Sequence, residues 1–363
     1  MSYFIVFFTV IPITIITMII PYITRKTECF GVSIPEEIYS SKELIVMRKK
    51  YVFLTGILSL IICIFVFISW LIGNENWVIQ SLLVSIIGFS IGSFLIYLKF
   101  HNQMKKLKAS NDWRKSKTQS ISIDTRFHSQ KKTYSNGWLL ISFVIAIASI
   151  IITILFYKEI PNRMPMKYDF KGNVTNWVDK NYWSVFQLPL IQLFLTGLFL
   201  YLNQIISRSK QQINASNPEK SMKQNVIFRR RWSLFLIVTS ILMSLMFFLI
   251  QLSFIININQ NLLQGFSLGL VGIIILLVII ISVTTGQGGS RVKIKNDFSN
   301  NKINYDDDRF WKLGVFYFNP NDPSLWVEKR FGTGWTINLA RPIGWMVMIT
   351  IILIPIIISL TVK

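Results

Sequence analysis

Eight runs of about 20 apolar residues constrain this chain more than any other feature, because about 20 helical residues span a hydrocarbon core roughly 30 Å thick. They occupy residues 3–23, 51–72, 77–98, 138–157, 183–203, 232–256, 262–284 and 343–361. Charged residues make up only 15% of the chain, against about 25% in an ordinary soluble domain. The expectation is an all-α integral membrane protein of about eight transmembrane helices. The first run has no charged side chain before it and Arg25-Lys26 after it. A signal peptide shows the reverse pattern, so this run reads as a retained helix with its N-terminus outside.

The net charge of +21 would suggest nucleic acid in a soluble protein. Here it is distributed as the positive-inside rule requires. With the N-terminus outside, the segments 24–50, 99–137, 204–231 and 285–342 are cytoplasmic and hold 32 of the 38 Lys and Arg. Loop 158–181 holds five more, and the C-terminus falls outside. The basic charge therefore points to membrane lipids, with no nucleic-acid partner.

No Asp, Glu, Lys, Arg or His lies within an apolar run, and all 17 acidic residues fall between runs. Mid-membrane charge costs at least about 2.5–3.5 kcal/mol and is usually kept for ion or proton coupling. Its absence argues against a proton-driven pump and against a membrane-embedded enzyme. His101 and His128 both fall in segment 99–137, which removes an intramembrane histidine relay. Two cysteines, Cys29 and Cys63, are too few for a metal cage or a disulfide framework. No metal or other cofactor is expected.

The chain divides into a first four-helix unit (1–157), a loop module (158–181), helices five to seven (182–284), a cytoplasmic segment (285–342) and a final helix (343–363). Two readings fit the two halves. Arg48-Lys49-Lys50-Tyr51 and Arg229-Arg230-Arg231-Trp232 each open an apolar run, and each is followed by Gly-Phe-Ser-aliphatic-Gly, at Gly88–Gly92 and Gly265–Gly269. That is the pattern of a 4+4 parallel repeat. Basic flanks and glycines are also common in unrelated membrane helices. Gly88 and Gly92 have the spacing that lets helix backbones approach closely.

Three segments are too specific to be mere connectors. Phe30-Gly31 through Pro35 combines a flexible glycine, apolar residues and a rigid proline just after the first run. Loop 158–181 carries Pro161 and Pro165, then Tyr168, Asp169, Gly172, Asn173 and Lys180 around Trp177, a polar and aromatic texture suited to peptide or headgroup recognition. Segment 305–342 begins with Asp306-Asp307-Asp308, expected as a solvated acidic turn. Trp311–Phe318 and Leu325–Arg330 read as two strands around an Asn319-Pro320 turn, and Gly332, Gly334 and Trp335 lead through Asn338 into a third extended piece. The three would make a small β-meander. Gly332-Thr333-Gly334 lacks the rest of a phosphate-binding fingerprint.

These segments also carry a resemblance. Ile160 to Pro165, with Asp169, Gly172, Asn173 and Lys180, resembles the extracytoplasmic module of the SdpI-type bacterial membrane proteins, with Tyr168 where that family has histidine. Phe30–Glu36 and Asp308–Pro342 are similar to two further blocks of its larger members. The resemblance implies a protein of the bacterial plasma membrane tied to toxin immunity. Its partners would be a secreted peptide toxin outside and a regulator protein inside. The competing reading from the residues is a transporter or lipid-handling carrier, whose passage Gln187, Gln192 and Gln251 would line.

Overall fold

A computed structural model describes residues 10–72, 75–111, 113, 118–120, 131–168, 174–256, 258–294, 302–304 and 306–360. Its helices are α1 (Ile11–Ile23), α2 (Lys42–Ile72), α3 (Glu75–Ser110), α4 (Leu140–Leu155), α5 (Tyr182–Arg208), α6 (Pro218–Leu252), α7 (Gln260–Thr285) and α8 (Pro342–Leu360). Ten short strands lie between them: β1 (Glu28–Cys29), β2 (Val32–Ser33), β3 (Thr118–Ser120), β4 (Arg163–Tyr168), β5 (Val174–Asp179), β6 (Lys302–Asn304), β7 (Trp311–Lys312), β8 (Phe316–Tyr317), β9 (Trp326–Glu328) and β10 (Trp335–Ile337). Among the described residues, six helices are long and apolar enough to cross a bilayer, while α1 and α8 appear as shorter apolar helices. This is a helical, multi-pass membrane protein.

Three helices overrun their apolar runs by two or more turns. α2 begins at Lys42, α3 continues to Ser110 and α6 begins at Pro218. The added turns are rich in Lys, Arg, Glu and Gln, which are strong helix formers, and keep only a narrow apolar stripe such as Phe100, Met104 and Leu107. At 1.5 Å per residue α3 is roughly 54 Å long, well beyond the thickness of a hydrocarbon core. His101 accordingly lies on a helix rather than in a loop.

The chain forms two compact units. The first comprises Met1–Lys131, Ser209–Phe228 and Ile279–Arg341; the second comprises Lys132–Arg208, Arg229–Val278 and Pro342–Lys363. This division does not follow the two halves of a 4+4 repeat, since α4 groups with α5 rather than with α1 to α3. The glycine pairs differ as well. A Cβ on Gly92 would lie 2.9 Å from Leu58 of α2, whereas among the described residues nothing beyond the local helix backbone and chain neighbours comes within 4 Å of one on Gly265 or Gly269. Only the first pair serves close helix packing.

In the first unit, β1 and β2 form an antiparallel hairpin with Glu28 opposite Ser33 and Cys29 opposite Val32. β7 pairs with β8 and β9 with β10, each antiparallel and in a separate two-stranded sheet, while β3 pairs in parallel with β6. The expected three-stranded meander is therefore replaced by two hairpins. Trp311–Phe318 is not one strand, because Leu313 and Gly314 both take positive φ (52° and 72°) and reverse the chain within it.

The second unit is held by neutral polar side chains at its helix contacts. Ser142, Ser149 and Thr153 lie buried on α4. Ser240 of α6 donates to Ser142 at 3.0 Å, and Gln251 donates to Thr153 at 2.9 Å. Gln192 of α5 donates to the Ser244 carbonyl at 2.9 Å, and Ser233 donates to Asn203 at 2.6 Å. Between helices in lipid, small residues and such hydrogen bonds replace the hydrophobic driving force.

Candidate functional site

Two regions gather the singled-out residues, one in each unit. In the second unit, β4 and β5 make an antiparallel hairpin whose register runs from Arg163 opposite Asp179 to Tyr168 opposite Val174. Its base is packed, with Ile160, Met164, Val185 and Phe254 forming a buried cluster. Lys180 donates to the Ile160 carbonyl at 2.8 Å and lies 4.6 Å from the centre of the Tyr157 ring. This lysine is an anchor for the hairpin rather than an open contact. Pro161 is exposed, and Pro165 sits in β4 opposite Trp177. Trp177 itself is 54% exposed. Asp169, Gly172 and Asn173 lie outside the described residues, as does His128.

The first unit brings the remaining residues to one place. Phe30 and Gly31 form the β1–β2 turn, both at positive φ (47° and 75°). Gly31 faces Gly314 of the β7–β8 turn so closely that a Cβ there would lie 2.5 Å from the Gly314 carbonyl oxygen. Two residues one turn apart on α3 hold both turns. The Tyr97 hydroxyl donates to the Leu313 carbonyl at 2.9 Å, and His101 Nδ1 lies 2.8 Å from the Phe30 carbonyl. A carbonyl only accepts, so Nδ1 carries the proton. The Phe30 ring stacks on Phe100 at 5.2 Å and packs against Tyr51 and Phe331. Pro35 is buried and opens the short 3-10 helix Glu36–Ser40.

Arg330 is the electrostatic centre of this arrangement. Its side chain is 1% exposed and pairs with both Asp307 and Asp308. It also donates to the Gly31 carbonyl at 3.2 Å and lies 5.1 Å from the Trp311 ring centre. Asp308 further pairs with Lys108 at 2.5 Å. Burial would raise the Asp308 carboxyl, but Arg330 and Lys108 together hold it below the usual carboxylate range. Asp307 and Asp308 are thus structural counterions, not the solvated turn that three consecutive acids suggest.

A second buried pair lies alongside. Arg25 pairs with Glu328, which also accepts from Asn225 at 2.9 Å. Glu28 is buried, and burial lifts its carboxyl to about 7 against the opposing pull of Arg25 and Arg330.

The segment after Arg330 is locked by amides. Gln287 pairs through both side-chain atoms with the backbone of Gly334, at 2.7 and 2.9 Å. The Gly332 N–H donates to Thr24 at 3.2 Å, and Trp335 packs on Phe228 at 5.2 Å. Asn338, wholly buried, donates to the Asn319 carbonyl at 2.9 Å and accepts from the Asn319 N–H at 3.0 Å. Pro320 is exposed at that turn. Sequence reasoning missed Tyr97, His101 and Gly314. The Tyr97-x-x-x-His101 spacing would have flagged the first two once α3 was extended beyond its apolar run.

Among the described residues, no three His, Cys, Asp or Glu side chains are grouped to hold a metal ion. The chemistry present is that of charge-assisted contacts and protonation.

Comparison with known proteins adds family names at both places. Residues 144–193, spanning most of α4, the β4–β5 hairpin and the start of α5, match a domain of unknown function (DUF1648). Residues 320–345, which include β9 and β10, match a family of unknown function (DUF5808). Both matches fit a membrane family. No curated protein and no solved structure matches the chain.

Proposed function

We propose that this is an eight-span plasma-membrane protein, both termini outside, that binds a secreted peptide through the β4–β5 hairpin in an immunity or signalling role. Placement of 32 of 38 basic residues on one side supports the orientation. The observation that carries the function is the open edge of β5. Among the described residues β5 pairs only with β4, and most of its side chains are exposed. An extended peptide joins such an edge through main-chain hydrogen bonds, with alternate side chains supplying specificity. Pro165 removes a donor from β4, which favours β5 as the docking edge, and Trp177 supplies an aromatic contact. The SdpI-type resemblance supports the same reading, with a regulator protein as the partner of the first unit inside the cell.

The test is deletion of the gene followed by challenge with secreted antimicrobial peptides. Deletion should sensitise cells to one of them. Wild-type protein and a Trp183→Ala control should restore protection, while Trp177→Ala should not, at equal membrane abundance. Unchanged sensitivity to every peptide would count against a role in immunity. The carrier reading has less support, because Gln192 and Gln251 are buried in helix contacts.

A further inference from the structure

A cleft of about 940 Å³ opens in the first unit beside the ends of α1 and α7. Five cationic side chains line it, from Arg25, Lys26, Lys220, Arg291 and Lys293, against the single carboxylate of Glu36. That carboxylate already accepts from Asn214 at 2.7 Å. Arg25 is matched by Glu328, but among the described residues no carboxylate pairs with Lys26, Lys220 or Lys293. Arg291 is fixed in place by donating to the carbonyls of Tyr22 (3.1 Å) and Val283 (3.0 Å).

Like charges gathered in one concavity repel one another, and the arrangement is relieved when an anion shares it. The volume lies in the range of small-molecule sites, about 300–1,000 Å³. The remaining lining combines amide and hydroxyl groups of Asn217, Ser221 and Gln224 with the apolar side chains of Val283, Val292 and Ile294. Donors flanked by an apolar wall suit an anionic head carried on an apolar body. Arg and Lys are the ordinary partners of phosphate, Arg through its fork and Lys as a point charge.

We propose that this cleft binds a phosphate-bearing anion, with Lys220, Lys293 and Arg291 as its principal contacts. The phosphate can belong to an anionic lipid headgroup or to a soluble phosphorylated molecule. The site is separate from the β4–β5 hairpin and independent of the peptide reading.

The test uses the full chain in nonionic detergent, titrated under native mass spectrometry with short-chain phosphatidic acid, short-chain phosphatidylcholine or inorganic pyrophosphate. A saturable adduct is expected with phosphatidic acid or pyrophosphate but not with phosphatidylcholine. Binding of phosphatidic acid alone identifies a lipid source, and binding of pyrophosphate identifies a soluble one. Lys220→Ala/Lys293→Ala should weaken the adduct at least about tenfold. Lys220→Arg/Lys293→Arg should retain it, as should Lys105→Ala/Lys106→Ala, which removes two exposed charges from α3. The proposal is overturned if neither phosphate compound gives a saturable adduct, or if the α3 pair weakens binding as much as the cleft pair.

Discussion

The two units solve the same problem, burying polar groups, with opposite chemistry. In the second, the buried polar side chains of the helix contacts are mainly serines, threonines, glutamines and asparagines bonded from helix to helix, with the buried Arg229 donating to the Ile206 carbonyl at 2.6 Å. In the first, Arg25 and Glu328 are buried as a pair, and Arg330 is buried against the partly exposed Asp307 and Asp308. A neutral hydrogen bond tolerates a lipid setting, whereas a buried ion needs a matched partner and a fixed scaffold. The difference is one of contact chemistry, neutral hydrogen bonds at the helix contacts of the second unit against the ion-pair cluster of the first.

Removing one side of a charge pair should break the first unit most severely. Arg330→Ala should cost about 3 kcal/mol, the upper end for hydrogen bonds to charged groups, since the Asp307 and Asp308 it leaves behind are partly exposed. Thermal unfolding and limited proteolysis in detergent would show 306–341 released first. Gly31→Ala comes next, at about 2 kcal/mol, since it adds positive-φ strain and a Cβ 2.5 Å from the Gly314 carbonyl. The same assay should show both hairpin turns exposed.

Proton linkage sharpens the contrast. Between pH 4.5 and about pH 7 the folded chain holds on Glu28 a proton that the unfolded chain has released. The Glu28 contribution to the stability of the first unit should therefore fall as pH rises through that window and level off above it, against an opposing contribution from His101, whose imidazole is held below its usual range by burial. Glu28→Gln should flatten the slope in a melting-temperature series. The smallest effect belongs to the second unit. Gln251→Leu should cost about 1 kcal/mol, because hydrogen bonds between membrane helices average about 0.6 and rarely exceed about 1.7. A loss as large as that of Arg330→Ala would erase the distinction between the units.

The helices were legible because each apolar run reports directly on its burial in lipid. Their true ends were not, since beyond the apolar runs the helices keep only a narrow apolar stripe, as Phe100, Met104 and Leu107 do among the Lys and Gln residues of 99–110. The weight of Phe30, Gly31, Arg330 and Asn338 could be suspected from local texture. Their convergence could not, because Gly31 and Arg330 are joined only by tertiary packing around Tyr97 and His101. The meander failed for a local reason that was visible: Gly314 stands in the middle of the expected strand and permits the turn. Asp307 and Asp308 read as solvated because consecutive acids usually are, and nothing nearby in sequence shows that Arg330 will meet them.

Lys180 sharpens the functional side of the comparison. Its contacts with the Ile160 carbonyl and the Tyr157 ring place it beneath the hairpin, so Lys180→Glu should unseat β4–β5 rather than remove a ligand contact. Trp177→Ala should leave the hairpin folded.

Hydrogen exchange resolved along the full chain in nonionic detergent tests the central claim, a first unit locked by ion pairs against a second held mainly by neutral hydrogen bonds with an open β5 edge, most directly. After correction for intrinsic rates, raising the pH from about 5 to about 8 should add in 25–34 and 306–341 an acceleration of exchange that Glu28→Gln removes, and leave 140–155 and 229–252 unchanged. In β5, only the amides facing β4 should be protected, in alternation along the strand. Equal acceleration in both units, or uniform protection across 174–179, would contradict it.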